Sequence, residues 1–193
     1  TKYTIKIYQL PESNLAINSE QWTNSWATYI ASGKYWWALQ CDNGQFVDIG
    51  TGIISTAQMS ISTLVYKTTE DIKQTIIQKR GSYWIIIANE TLQVTNKTDN
   101  RRYDTQIHIP ANTRTHIGRS YDGTTMNVYI NGKKERSTSI IGSINNTSHP
   151  TYIGYSLFDG QRKWLIDEVY IYKRTLSNDE FATLYEHNLN RIS

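Results

Sequence analysis

Two acidic pairs stand out near the C-terminus, Asp167-Glu168 and Asp179-Glu180. Hydrolysis of a glycosidic bond needs two carboxyl groups facing each other across that bond, and neither pair offers this. Asp167 and Glu168 are neighbours in a segment that alternates like a strand, so their side chains point to opposite faces. Asp179 and Glu180 open a helical segment, where negative charge complements the helix dipole. The histidines His108, His116, His149 and His187 are scattered, without the His-x-x-x-His spacing of a zinc site. Cys41 is the single cysteine and nothing beside it marks a nucleophile, so it reads as a buried thiol. Catalysis is therefore not expected.

Binding chemistry is better represented. A calcium ion takes oxygen ligands from Asp, Asn and backbone carbonyls, and Asp42, Asn43, Asp48, Asp122, Asp159 and Asp167 are candidates. Among them Asp122, Asp159 and Asp167 are the calcium set to test. Asp and Asn ahead of Gly are also ordinary turn formers, so the favoured reading is no cofactor, with calcium as the alternative. Sugar recognition needs flat aromatic rings rimmed by Asn, Asp, Gln or Arg. Tyr35-Trp36-Trp37 places large rings at adjacent positions, which a strand turns to opposite faces, so at least one of Trp36 and Trp37 is expected at a groove or in solvent. Trp164, with Asp159 and Arg162 in the loop before it, forms a second candidate, and Trp22 and Trp26 are further rings. The competing reading of every one of these tryptophans is core packing.

The elements that must carry these groups are strands. From Leu165 the chain alternates, with Leu165, Asp167, Val169 and Ile171 on the expected core face and Ile166, Glu168, Tyr170 and Tyr172 on the other. A carboxylate at Asp167 on that face must be satisfied by backbone donors or a cation. Ser177 then opens a short helix as a Ser-x-x-Glu capping box with Glu180, and Phe181, Leu184 and Tyr185 share one helical face. Earlier segments read as strands at Thr4–Tyr8, Met59–Tyr66, Thr75–Arg80, Tyr83–Ala88, Thr91–Thr95, Thr105–Ile109, Thr115–Tyr121, Met126–Ile130 and Thr151–Tyr155. Tyr83–Ala88 is apolar on both faces and reads as a central strand. Asp122-Gly123 is a turn, and Asn131-Gly132 suits a type I′ hairpin.

Two pieces carry a family resemblance. The first is Ile166-Asp-Glu-Val-Tyr-Ile-Tyr-Lys-Arg174 followed by Leu176-Ser-x-x-Glu180 and Leu184-Tyr185. The second is the stretch from Arg114 to Lys133, with its Tyr121-Asp-Gly turn and its Tyr129-Ile-Asn-Gly132 ending. Together they resemble the closing segments of laminin-G-like, concanavalin A-like jelly rolls. That resemblance implies an all-β fold, a two-sheet antiparallel β-sandwich with one short C-terminal helix, in which first and last strands lie close. Glycosidases of this superfamily often carry Glu-x-Asp-x-x-Glu on one strand, a motif this chain lacks.

Length and composition agree. One sandwich domain spanning 1–193 accommodates the 193 residues. The net charge of +3 is dispersed, and Lys133-Lys134-Glu135-Arg136 reads as a solvated hairpin end; no basic stripe interleaved with aromatics points to nucleic acid. No apolar run approaches the roughly 20 residues that span a bilayer. A lone cysteine allows no internal disulfide. The chain starts at Thr1 and is read as a processed or trimmed product. Sequons at Asn89, Asn96, Asn145 and Asn146 fit a glycosylated surface protein, although a chain rich in Asn and Thr makes chance matches. The expected function is a non-catalytic recognition module on an extracellular, cell or virion surface, binding glycans for attachment. The alternatives are a self-associating structural subunit of a virion, filament or surface layer, and a divergent glycoside hydrolase.

Overall fold

The computed structural model describes residues 23–25, 28–32, 35–41, 46–51, 57–68, 73–88, 90–96, 103–154 and 164–190. They form two antiparallel sheets and one helix. The strands are β1 (Thr23–Ser25), β2 (Thr28–Ser32), β3 (Tyr35–Cys41), β4 (Phe46–Asp48), β5 (Met59–Lys67), β6 (Gln74–Lys79) and β7 (Tyr83–Ala88). They continue as β8 (Thr91–Asn96), β9 (Tyr103–His108), β10 (Arg114–Tyr121), β11 (Thr125–Ile130), β12 (Lys133–Ser139), β13 (Thr151–Ile153) and β14 (Trp164–Tyr172), and the helix α1 spans Asn178–Asn190. One sheet runs β1-β4-β13-β6-β7-β8-β9 and the other β12-β11-β10-β5-β14-β3-β2. The chain crosses repeatedly between them, as a jelly roll requires. The expected strand at Thr4–Tyr8 lies outside the described residues.

Alternation builds the core between the sheets. Tyr83, Ile85 and Ile87 of β7 and Leu92 and Val94 of β8 face Met59, Ile61 and Val65 of β5, Ile117 and Tyr121 of β10, and Met126 and Val128 of β11. Each fully buried aliphatic side chain contributes roughly 1.5–3 kcal/mol of apolar transfer. The helix packs on the opposite face of the second sheet. There Phe181 and Leu176 are buried with Tyr129, Tyr170 and Tyr172, and Leu184 packs beside them. Ser177 Oγ accepts from the Glu180 amide at 3.2 Å while Glu180 Oε2 accepts from the Ser177 amide at 2.8 Å, so the capping box forms as read. Arg174 adds two hydrogen bonds to the same carboxylate, one at 3.0 Å. Asn131 and Gly132 take φ of 49° and 78°, the left-handed pair that a type I′ turn needs.

One expectation changes. The closing strand β14 does not keep one phase. Its register against β5 shifts between Asp167 and Tyr170, and Glu168 takes φ of 50°. A bulge of this kind inserts one residue and reverses which positions face inward. Trp164 and Ile166 are therefore core residues before it; after it Val169 is a core residue and Ile171, partly buried, packs against the core. Leu165 and Asp167 do not share the core face with Val169. The Lys133–Arg136 run is solvated as read: it follows the hairpin turn and opens edge strand β12, whose Lys133, Lys134, Glu135 and Arg136 are all exposed. Charges along an edge oppose sheet-to-sheet addition by another chain.

Candidate functional site

The outer face of the first sheet is the face turned away from α1. Val47 and Ile49 are buried in the core, so Asp48 between them points outward, and the same alternation turns out Tyr152, Gln78 and Trp84. All four are half-buried. The pairing brings them into one row across four strands: Asp48 stands opposite Tyr152, Tyr152 opposite Gln78, and Gln78 opposite Trp84. Adjacent strands lie about 4.8 Å apart, so the backbones beneath Tyr152 and Trp84 are separated by about 10 Å with an amide between them. Phe46, on the same face of β4, packs edge-on against Tyr152 with ring centroids 5.0 Å apart. Beyond Trp84 the row reaches Thr95, which is fully buried. The row thus offers two rings, a Gln amide and a carboxylate on a surface that runs perpendicular to the strands. Rings of this kind can stack on the C–H face of a sugar while the amide and carboxylate hydrogen-bond its hydroxyls.

Among the described residues, Asp48 and Asp104 of this face are poorly placed for acid–base chemistry. Asp48 Oδ1 accepts from the Gly50 amide at 2.8 Å. Asp104, on β9, is bonded to Thr91, Gln93 and the Gln106 amide. Five strand spacings separate β4 from β9 in the sheet order, about 24 Å. That is far beyond the roughly 5–9.5 Å that separates a catalytic carboxyl pair.

The residues expected to act from sequence fare differently. Trp164 is corrected: its side chain is fully buried and belongs to the core, because the bulge in β14 leaves positions 164 and 166 facing inward. Its ring presents no face to a ligand. Tyr35, Trp36 and Trp37 lie in β3, paired to β2, with their side chains outside the described ones. Asp159 and Arg162, and likewise Trp22, Trp26, Asp42 and Asn43, lie outside the described residues.

Asp122 is an exposed turn residue whose Oδ1 accepts from the Thr124 amide, the Thr124 hydroxyl and the Thr125 amide at 2.7–2.8 Å. Its slight burial pushes the carboxyl up, but these hydrogen bonds outweigh that and hold it below the usual range. Asp167 is corrected too: it is half-buried rather than enclosed, and its Oδ1 accepts from the Glu168 amide at 2.8 Å, steadying the bulge. In register Asp167 aligns through Leu64 with His116, six residues along β10 from Asp122. The two carboxylates are therefore about 20 Å apart and share no cation. Among the described residues, no three His, Cys, Asp or Glu side chains gather as metal ligands.

Of the sequons, Asn145 and Asn146 are exposed, and Asn89 lies outside the described residues. Asn96 is corrected: it is fully buried, and a glycan cannot be attached to it in the folded chain.

Reasoning from sequence missed Gln78, Trp84 and Tyr152. Trp84 stands in a run apolar at nearly every position, and only the burial of both its neighbours shows that its ring points out. Tyr152 carried the weak signal of alternation with Thr151 and Ile153.

Comparison with known proteins follows the same architecture. No curated protein sequence matches the chain. Domain 4 of AbnA, an extracellular GH43 arabinanase from Geobacillus stearothermophilus solved in complex with arabinotriose, is 25% identical. It superposes with a TM-score of 0.67 over 82% of this chain and 81% of that one. The binding domain of botulinum neurotoxin serotype G is 18% identical with a TM-score of 0.68, over 87% of this chain. A structure of botulinum neurotoxin type C, described as depending on two ganglioside molecules for cell entry, is 16% identical at the same TM-score over 86% of this chain. The chain spans 46% of each of these toxin structures, so they share its fold over less than half their length. Among the described residues no helix is long and apolar enough to cross a membrane. The profile that matches residues 41–182 describes the same sandwich that the strands build, and the chain belongs to the concanavalin A-like lectin/glucanase superfamily.

Proposed function

We propose that this chain is a non-catalytic carbohydrate-recognition module, one domain long, displayed at an extracellular, cell or virion surface and used in attachment. The observation that carries the reading is the row Asp48, Tyr152, Gln78 and Trp84, four half-buried side chains aligned on the sheet face away from the helix. The wide separation of Asp48 and Asp104 supports binding over hydrolysis. Among the similar structures, the arabinanase domain holds an oligosaccharide, which is the ligand class this row suits. The charged edge of β12 speaks against assembly by strand addition, the route a structural subunit would use there.

A glycan array followed by calorimetry tests the proposal. Trp84→Ala and Tyr152→Ala are each expected to weaken glycan binding about tenfold or more, equivalent to at least about 1.4 kcal/mol. Leu189→Ala, at an exposed position on α1, is expected to leave it unchanged. Glycan binding that survives both ring deletions, or an array without a single specific glycan, refutes the site.

A further inference from the structure

Arg119 is a charge in the wrong place. It lies on β10 between Ile117 and Tyr121, and its strand partners on either side are Ile61 and Val128. All four of those neighbours are core residues, so Arg119 points between the two sheets. It is 1% exposed. Among the described residues none of Nε, Nη1 and Nη2 has a hydrogen-bond partner. Its guanidinium carbon lies 5.8 Å from the centre of the Tyr83 ring across the sandwich.

An aromatic face eases such a charge but offers no acceptor for its five N–H groups. Tyr121 directs its hydroxyl to the Ile140 and Gly142 carbonyls, and the Tyr83 hydroxyl is 3.5 Å from that of Thr151. A second cation is buried on the strand beside Tyr83. Lys79 pairs with Tyr83 in register, and its ammonium donates to the Thr51 carbonyl at 2.9 Å and to the His149 carbonyl. These two neutral carbonyls take two of its three hydrogens without cancelling its charge.

Burial lowers Arg119 to about 10, with the nearby Tyr83 and Tyr121 opposing that fall. The guanidinium is thus protonated at neutral pH. Burial also raises the Tyr83 phenol to about 12, leaving it neutral. An isolated ion in a low-dielectric interior is strongly destabilising unless an opposite charge accompanies it.

We infer that the sandwich core binds a small monovalent inorganic anion of the halide class on the Arg119 guanidinium, between Tyr83 of one sheet and Ile61 and Val128 of the other. One negative charge neutralises the one guanidinium. A spherical ion accepts several N–H donors and presents no unsatisfied oxygens to the aliphatic walls. The site is separate from the outer row and stands whether or not that row binds sugar.

Crystals of the wild-type chain grown in bromide test this directly. An anomalous peak within hydrogen-bonding reach of the Arg119 nitrogens is expected. An ordered water there, or an empty map, overturns the inference. In solution, melting at constant ionic strength with chloride replacing gluconate should rise by about 3–6 °C for each tenfold increase in halide above the dissociation constant. Arg119→Met, of similar reach and uncharged, should abolish that dependence. A wild-type melting point indifferent to halide refutes the site even if the Met variant does not fold.

Discussion

Gly118 sets how closely α1 sits on the second sheet. A Cβ built there lies 2.5 Å from Cε1 and 2.6 Å from Cδ1 of Phe181, and 3.1 Å from Cβ of Tyr129. The Phe181 ring is fully buried and stacks on Tyr129 with centroids 3.9 Å apart. It has nowhere to retreat without lifting the helix. Gly118→Ala is therefore an overpacking substitution, expected to cost about 2 kcal/mol. For a chain of this length that lowers the melting temperature by about 4–8 °C. The strand backbone itself tolerates alanine, and replacing glycine where φ is permissive stabilises by about 0.4–1 kcal/mol through the unfolded state. Removing the ring should thus reverse the sign. Phe181→Ala alone is expected to cost about 3–5 kcal/mol, and adding Gly118→Ala to it should be neutral or stabilising. The assay is a double-mutant cycle of urea midpoints. An equal cost of Gly118→Ala in both backgrounds would show that Phe181 is not what the glycine accommodates.

Other outcomes follow from the same interface and from the surface. His116 is fully buried beneath the helix, with Nε2 2.7 Å from the Ser62 hydroxyl and its ring 5.9 Å from that of Tyr185. Burial lowers it from 6.5 to about 4, so between those values the unfolded chain binds more protons. Its contribution is complete above pH 6.5 and is lost as pH falls toward 4, by about 3 kcal/mol in all. His116→Gln should flatten the urea midpoint over that window, and an unchanged slope would sink the assignment. When the chain is secreted from a glycosylating host, peptide mass spectrometry should find glycan on Asn145 or Asn146 and none on Asn96. Occupancy at Asn96 in folded material would contradict its burial.

The positions of most strands were legible because their alternation is local. Each of Met126, Val128 and Ile130, or of Tyr83 to Ala88, declares a strand through its own neighbours. The helix was legible to its cap, since Ser177 and Glu180 stand three residues apart and satisfy each other. What alternation does not declare is a change of phase. A single extra residue at Asp167-Glu168 moves Trp164 from a candidate binding ring into the core and takes Asp167 out of it, and only the pairing with β5 reveals the shift. The candidate site was hidden for a related reason. Asp48, Gln78, Trp84 and Tyr152 span more than a hundred positions of sequence and become neighbours only because β4, β13, β6 and β7 pair in that order. Sequence by itself determined the class of fold, because periodicity and capping act over a few residues. Tertiary structure decided which rings are buried, which meet on a face, and that Arg119 is enclosed. Those outcomes depend on register between strands distant in the chain, and a one-residue shift in register exchanges the two faces.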